Sequence, residues 1–235
     1  MAADNITLVP VNRLDLVFEP RSWTFADSRA VEISRHFSAL KRERLGIWNG
    51  KVLMLARYSI ADGVFSGSYF SVDFASFLAW RDWGFPDRNV HDCFAMGAMR
   101  ASDGAFLLGV MAGGTANAGK IYFPCGMPDH DDIVAGKVDL EGNIRRELRE
   151  EIGIDAAEFV AKPGWTTVLA GPWIAHVKLL QAHEDAATLR ARMLEHLARQ
   201  ADPELSDVRI INGPADLDPM MPPVVGAYLR YAWES

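Results

Sequence analysis

Arg146-Glu147-Leu148-Arg149-Glu150-Glu151-Ile152-Gly153-Ile154 is the stretch on which the reading of this chain turns. Its glutamates stand at i, i+3 and i+4, so on a helix they share one face. Each like-charge pair at those spacings destabilises an exposed helix by roughly 0.2–0.5 kcal/mol. A solvated helix would set Lys or Arg against each Glu, yet Glu147 meets Glu150 and Glu151 with no cation at either position. A hard divalent cation reverses the sign, because Mg2+ binds carboxylate oxygens and keeps its other sites for water and phosphate. The spacing therefore points to a metal on a rigid helix, the main requirement for cleaving a pyrophosphate. The bland alternative is a solvated acidic face with Arg146 paired to Glu150 one turn on.

Working outward, Asp139 is a suitable N-cap for a helix running to Ile152, and Gly153 is the expected residue just past its end. Upstream, Cys93–Met99 and Ala105–Met111 flank Asp103-Gly104 as a hairpin. Ala118–Phe123 follows as a strand ending at Pro124-Cys125-Gly126, and a polar loop of Asp, Pro and Gly fills the gap to Val138. Downstream, Thr166–Leu180 is strand-like and broken at Gly171-Pro172. Glu184–Arg199 reads as a helix, Val208–Ile211 as a last strand and Val224–Trp233 as a C-terminal helix. Nearer the N-terminus, residues 6–19 alternate weakly as one or two strands before Pro20. Residues 27–44 read as an amphipathic helix with Val31, Ile33, Phe37 and Leu40 as its apolar stripe and Lys41, Arg42 and Arg44 in its last turns. Val52–Tyr58 and Val64–Phe70 form a hairpin around Ala61-Asp62-Gly63, and Phe74–Trp83 is a short aromatic helix stopped by Gly84. The texture changes near residue 88, giving an extension over 1–88 and a second domain over 89–235.

Composition narrows the function classes. Of 235 residues 49% are apolar, enough for a full core, and the net charge is −7. An acidic chain without a basic tract is a poor partner for long nucleic acid or an anionic membrane, whereas a small anion bridged by a metal suits it. The two cysteines, Cys93 and Cys125, imply no disulfide framework and fit a reducing, cytoplasmic setting. Met1–Leu8 has neither a basic start nor a long apolar run, so no signal peptide is expected. Nothing reaches the ~18 uninterrupted apolar residues of a membrane span. A homodimer is compatible with the sequence, which does not require one.

The run Arg146–Ile154 resembles the second half of the box of the Nudix hydrolases, Gly-x5-Glu-x7-Arg-Glu-U-x-Glu-Glu-x-Gly-U with U apolar, at every constrained position. Phe123-Pro124-Cys125-Gly126 is similar to the family's strand ending in Pro-Gly-Gly, and the strand–loop–helix order also agrees. The first half departs: the first Glu position falls on Val138 and the Gly position on Asp132. With one residue inserted, Gly136-Lys137 stands where the family has Gly-Glu, and the loop from Gly126 to Arg146 is about six residues longer than the family spacing. The resemblance spans roughly residues 90–215, with a faint further likeness to the members that act on UDP-sugars.

The resemblance implies an α/β protein: a Nudix-like α/β/α sandwich with a mixed sheet, here carrying an N-terminal α+β extension. It implies Mg2+, or Mn2+ in its place, on Glu147, Glu150 and Glu151, with Arg146 orienting a catalytic glutamate and Glu204 as an extra loop carboxylate. The implied substrate is a small nucleoside diphosphate derivative such as a nucleotide-sugar. The missing box glutamate would support Arg146, and Asp139 or Glu141 is the nearest substitute. Asp129-His130-Asp131-Asp132 reads as a solvated loop rather than a second metal cluster. His183 and His196 read as structural, and Trp80, Trp83 and Phe85 as core. Cys125 has no neighbouring cation in sequence to make it reactive. A non-catalytic nucleotide-binding module is the main rival, motivated by the broken half-box. A Nudix-type isomerase or an RNA-decapping enzyme fits less well, the acidic charge disfavouring long RNA.

Overall fold

A computed structural model describes residues 6–43, 46–115 and 117–234. Arg44, expected in the last turn of a helix, and Met1–Asn5, where a leader was sought, lie outside the described residues. The architecture is mixed α/β, as expected: two mixed sheets and, among the described residues, six α-helices.

The smaller sheet is built from β2 (Arg13–Phe18), β3 (Lys51–Ala61) and β4 (Val64–Asp73). β3 and β4 form the expected hairpin, whose turn residues Asp62 and Gly63 both take positive φ, at 50° and 71°, the geometry that matches strand twist. β2 runs parallel to β4. The helix expected over 27–44 is divided into α1 (Thr24–Ser28) and α2 (Ala30–Glu43), which packs on α3 (Phe74–Asp82). Ile33 and Phe37 enter that core, but Val31 is 65% exposed and leaves the stripe, because it stands two residues before Ile33, about 200° around the helix from it. Trp80 and Phe85 are buried there, as the core reading had them.

The larger sheet contains β1 (Thr7–Val11), β5 (Asp92–Arg100), β6 (Phe106–Met111), β11 (Trp165–Ala170), β12 (Trp173–Gln181) and β13 (Leu205–Ile211) in the order β1-β11-β12-β5-β6-β13. Its centre is a parallel β12–β5 pairing from Trp173↔Asp92 to Gln181↔Arg100. The break at Gly171-Pro172 is the turn between β11 and β12. The strand expected over 118–123 contracts to β7 (Ile121–Tyr122) on β6, and β10 (Val160–Ala161) adds to β12.

The polar loop before Val138 is not featureless. It holds a hairpin, β8 (Ile133–Val134) and β9 (Lys137–Val138), turning through Ala135 and Gly136 at φ 50° and 79°. β9 pairs with β2 and extends the small sheet, while β1, from the other side of residue 88, edges the large one. Each sheet thus borrows strand from across that position.

α4 (Leu140–Ile152) lies on one face of the large sheet, where Gly97 of β5 leaves room for Ile144 and Leu148; a Cβ there would come within 3.1 Å of Ile144. Phe106, which pairs with Arg100 on the opposite face, meets Tyr228 of α6 (Pro223–Glu234). α5 (Ala186–Leu197) packs against β13 and α4. The small sheet shares α4's face through Phe65, whose ring meets His176 edge-on at 4.4 Å, and Tyr69, which donates to the Cys93 carbonyl at 3.2 Å. His176 is fully buried between the sheets, hydrogen-bonded through Nδ1 to Thr167 at 2.9 Å and near Cys93 Sγ at 3.5 Å.

Candidate metal and catalytic site

α4 forms where the local signals put it. Asp139 caps the start, accepting from the Gly142 N–H at 2.9 Å, and Gly153 closes the end in the left-handed region at φ 69°. Gly153 is also required by packing, since a Cβ would lie 2.3 Å from the His196 ring. His196 and Gln200 meet the Glu150 carbonyl at 3.2 and 2.7 Å, so an end-of-helix acceptor is satisfied from α5. His196 is structural, as expected.

The helix presents Glu147 and Glu151 inward, both buried, and Glu150 outward, with its side chain 62% exposed. The loop after β7 lies over the buried pair. Gly126 lets it lie that close: a Cβ on it would come within 2.2 Å of Glu147 Oε1, so the loop or the glutamate would have to shift. The Cys125 backbone amide lies near enough to Glu151 to favour its charged form, against the burial that opposes it. Burial pushes the Glu147 carboxyl up to about 7, opposed by Arg146 and reinforced by Glu150 and Glu204. Burial, then Glu147 and Glu204, push Glu151 well above the carboxylate range. Glu204, exposed in the loop before β13, is therefore close enough to act electrostatically on both. Burial, then Glu151 and Glu147, push the Cys125 thiol well above its ordinary value, which works against a reactive thiolate.

Arg146 forks across the site. Its Nη1 lies 2.8 Å from Glu147 and 3.5 Å from Glu150, and its Nη2 reaches the Asp132 carboxylate at 3.1 Å. Burial works against its charge, but Glu147 and Asp132 outweigh it and hold its pKa above the ordinary value. The residues expected to replace the missing box glutamate do not. Asp139 is occupied as the helix cap and Glu141 pairs with Arg145 at 2.6 Å along the exposed face. Val138 is buried in the core and Lys137 pairs with Asp15 at 2.9 Å on the surface. Asp132 supplies the acceptor instead. It is 5% exposed, so the solvated reading of Asp129–Asp132 is wrong for this residue. The available signal was an arginine in need of an acceptor, and Asp132 stands at the box position that the family gives to glycine.

The donor chemistry suits a hard divalent cation. Two buried carboxylates repel one another, and Glu151 Oε2 is buried without a hydrogen-bond partner among the described residues. An unpartnered buried oxygen of this kind is costly unless a ligand satisfies it. With Glu147 engaged by Arg146, no three His, Cys, Asp or Glu side chains among the described residues are gathered closely enough to enclose an ion as they stand. A further carboxylate missed from sequence is Asp92, at the start of β5. It is buried, raised to about 7 by burial, has Oδ1 unpartnered, and acts electrostatically on Cys125.

No family model matches the chain, and no curated protein matches it in sequence. Among solved structures it is similar in fold to a Nudix hydrolase from M. smegmatis, RenU, at 18% identity and TM-score 0.40 over 61% of this chain and 84% of that one. A MutT protein from Methanosarcina mazei Go1 is similar at 17% identity and TM-score 0.40 over 61% of this chain and 94% of the other.

Proposed function

We propose that this chain is a divergent Nudix-type pyrophosphohydrolase that cleaves the diphosphate bond of a nucleoside diphosphate linked to another group, such as a nucleotide-sugar, with Mg2+ or Mn2+ on Glu147, Glu150 and Glu151. The observation that carries the reading is the box helix itself: its complete half-motif folds as one capped helix, burying two like-charged glutamates under a Pro-Cys-Gly loop with the Glu151 Oε2 oxygen unpartnered. Structural burial alone would favour apolar residues at these positions.

A divalent cation bound there would supply Lewis acidity toward water and neutralise charge on the diphosphate. The chain's own residues do the rest. The absence of a side chain at Gly126 lets the loop close over Glu147, and the nearby Cys125 amide favours a charged Glu151. Arg146 holds Glu150 and Glu147 from the side, where its charge offsets their mutual repulsion. Glu204, exposed and coupled electrostatically to Glu147 and Glu151, would accept a proton from the attacking water. Water oxygen bonds to phosphorus as the bridging P–O bond breaks, leaving two phosphate-bearing fragments. A net charge of −7 makes a small substrate the better match than long RNA. No helix among the described residues is long and apolar enough to cross a membrane.

The second reading, a nucleotide-binding module without catalysis, is favoured by one observation: Glu147 is engaged by Arg146, and no carboxylate trio is gathered as described. A panel of nucleotide-sugars, dinucleotides and nucleoside triphosphates with Mg2+, read by phosphate release after phosphatase coupling, separates the two. Release from a diphosphate-linked compound supports hydrolysis. Saturable nucleotide binding without release from any panel member supports the module.

A further inference from the structure

The turn that carries Asp132 is held from two directions. On one side it grips α4. Asp132 Oδ2 accepts from Arg146 Nη2 at 3.1 Å, from Asn143 Nδ2 at 2.9 Å and from the Asp129 N–H at 3.0 Å, while its backbone carbonyl accepts from the Asp139 N–H at 2.8 Å. On the other side it grips the small sheet. His130 Nε2 is 2.8 Å from Ser71 Oγ on β4, and the His130 ring meets Phe18 of β2 edge-on at 5.8 Å. The Leu53 N–H donates to the Pro128 carbonyl at 2.7 Å, and β9 pairs with β2 just beyond. Residues 128–138 therefore form a bracket, one end in the small sheet and the other on the box helix.

This bracket sits where the lengthened loop and the missing glutamate would otherwise leave Arg146 without an anchor. An arginine this far buried needs a fixed acceptor on each side of its fork. Glu147 and Glu150 take Nη1, and Nη2 would be free to swing without Asp132.

Resting on the hydrolase reading above, we propose that Asp132 is a positioning residue, through which the N-terminal sheet holds the Arg146 guanidinium and so sets the placement of Glu147 and Glu150. The added loop and the N-terminal strands then act together: the loop brings the carboxylate, and the sheet fixes the loop. Asp132 itself touches neither the cation nor the substrate.

The test uses the full chain. Mn2+ affinity is measured by calorimetry for wild type, Asp132→Asn, His130→Ala and Glu32→Ala, and kcat and KM are taken on the panel compound with the highest wild-type turnover. For a partner that orients ligands from behind, the expected loss in Mn2+ affinity or kcat for Asp132→Asn is about tenfold to a hundredfold. KM should change much less than kcat. His130→Ala, at the sheet end of the bracket, should move in the same direction by a smaller factor, and Glu32→Ala, whose exposed ion pair with Arg29 lies on α2 and outside the bracket, should match wild type. A second readout needs neither metal nor substrate: in 15N- and 13C-labelled protein the Arg146 guanidinium should show hindered rotation, which Asp132→Asn and His130→Ala each release. A folded Asp132→Asn with wild-type Mn2+ affinity and kcat overturns the proposal. So does a freely rotating Arg146 in wild type, which decides the matter even where Asp132→Asn fails to fold. Failure of wild type to bind Mn2+ would overturn the metal reading, and the guanidinium readout would then judge the coupling on its own.

Discussion

Gly126 is the residue whose loss should be most informative. Its Cα faces the Glu147 carboxylate so closely that a methyl group would stand 2.2 Å from Oε1. In Gly126→Ala either the loop or the glutamate must move. A displacement of about 1 Å at a reacting site costs about a hundredfold in rate, so kcat should fall by that order while circular dichroism remains that of the wild type. His176 gives a prediction of a different kind. Burial drives its pKa down to about 3, from an unfolded value near 6.5. The unfolded chain therefore binds the extra proton first as pH falls. The stability is intact above about pH 6.5 and declines from there toward pH 3, by roughly 2 kcal/mol at pH 5. Urea titrations at pH 7 and pH 5 should show this decline in wild type and a shallower one in His176→Gln. Glu147 has the opposite sign. Its folded pKa is raised to about 7, so the unfolded chain loses its proton first, and cation-free stability should decline as pH rises from about 4.5 through 7. Added Mg2+ should reverse that decline, and a thermal-shift series across this range with and without Mg2+ checks it.

At the scale of elements, the box helix was legible from end to end because its signals are local. A cap at Asp139, a left-handed glycine at 153 and an apolar face over Ile144, Leu148 and Ile152 need nothing from the rest of the chain. Asp139 is then a cap and no more. Asp139→Ala should lower stability by about 0.5–2 kcal/mol and leave kcat per folded molecule unchanged; a large fall in kcat would return this residue to the site. The β8–β9 hairpin was not legible. Its strands are two residues each, too short to show alternation, and its partner β2 lies more than a hundred positions upstream. Asp132 was missed for the same reason. A carboxylate among four consecutive polar residues looks solvated, but the docking of His130 on Ser71 and Phe18 and the bonds from Asn143 and the Asp129 N–H hold it toward Arg146. Val31 was misplaced because it is two residues from Ile33, a spacing that puts the two on nearly opposite faces of any α-helix.

Across the whole molecule, the mixed α/β architecture is the one the resemblance implied, but the exchange of strands across residue 88 was not legible. β1 completes the large sheet and β9 the small one, so the N-terminal residues are part of the frame that holds the box helix. The packing of Phe65 and Tyr69 against His176 and Cys93 fastens the two sheets at their centre. That frame buries Glu147 and Glu151, a cost that the proposed cation would offset. The most direct test is turnover of the best diphosphate-linked compound as a function of Mg2+ for wild type, Glu150→Gln and Glu151→Gln. Wild type should require Mg2+, and each variant should lose about a hundredfold or more in kcat at saturating metal while retaining its fold. Near-wild-type turnover by both folded variants at saturating Mg2+, or full wild-type turnover in excess chelator, would contradict a cation held on this helix.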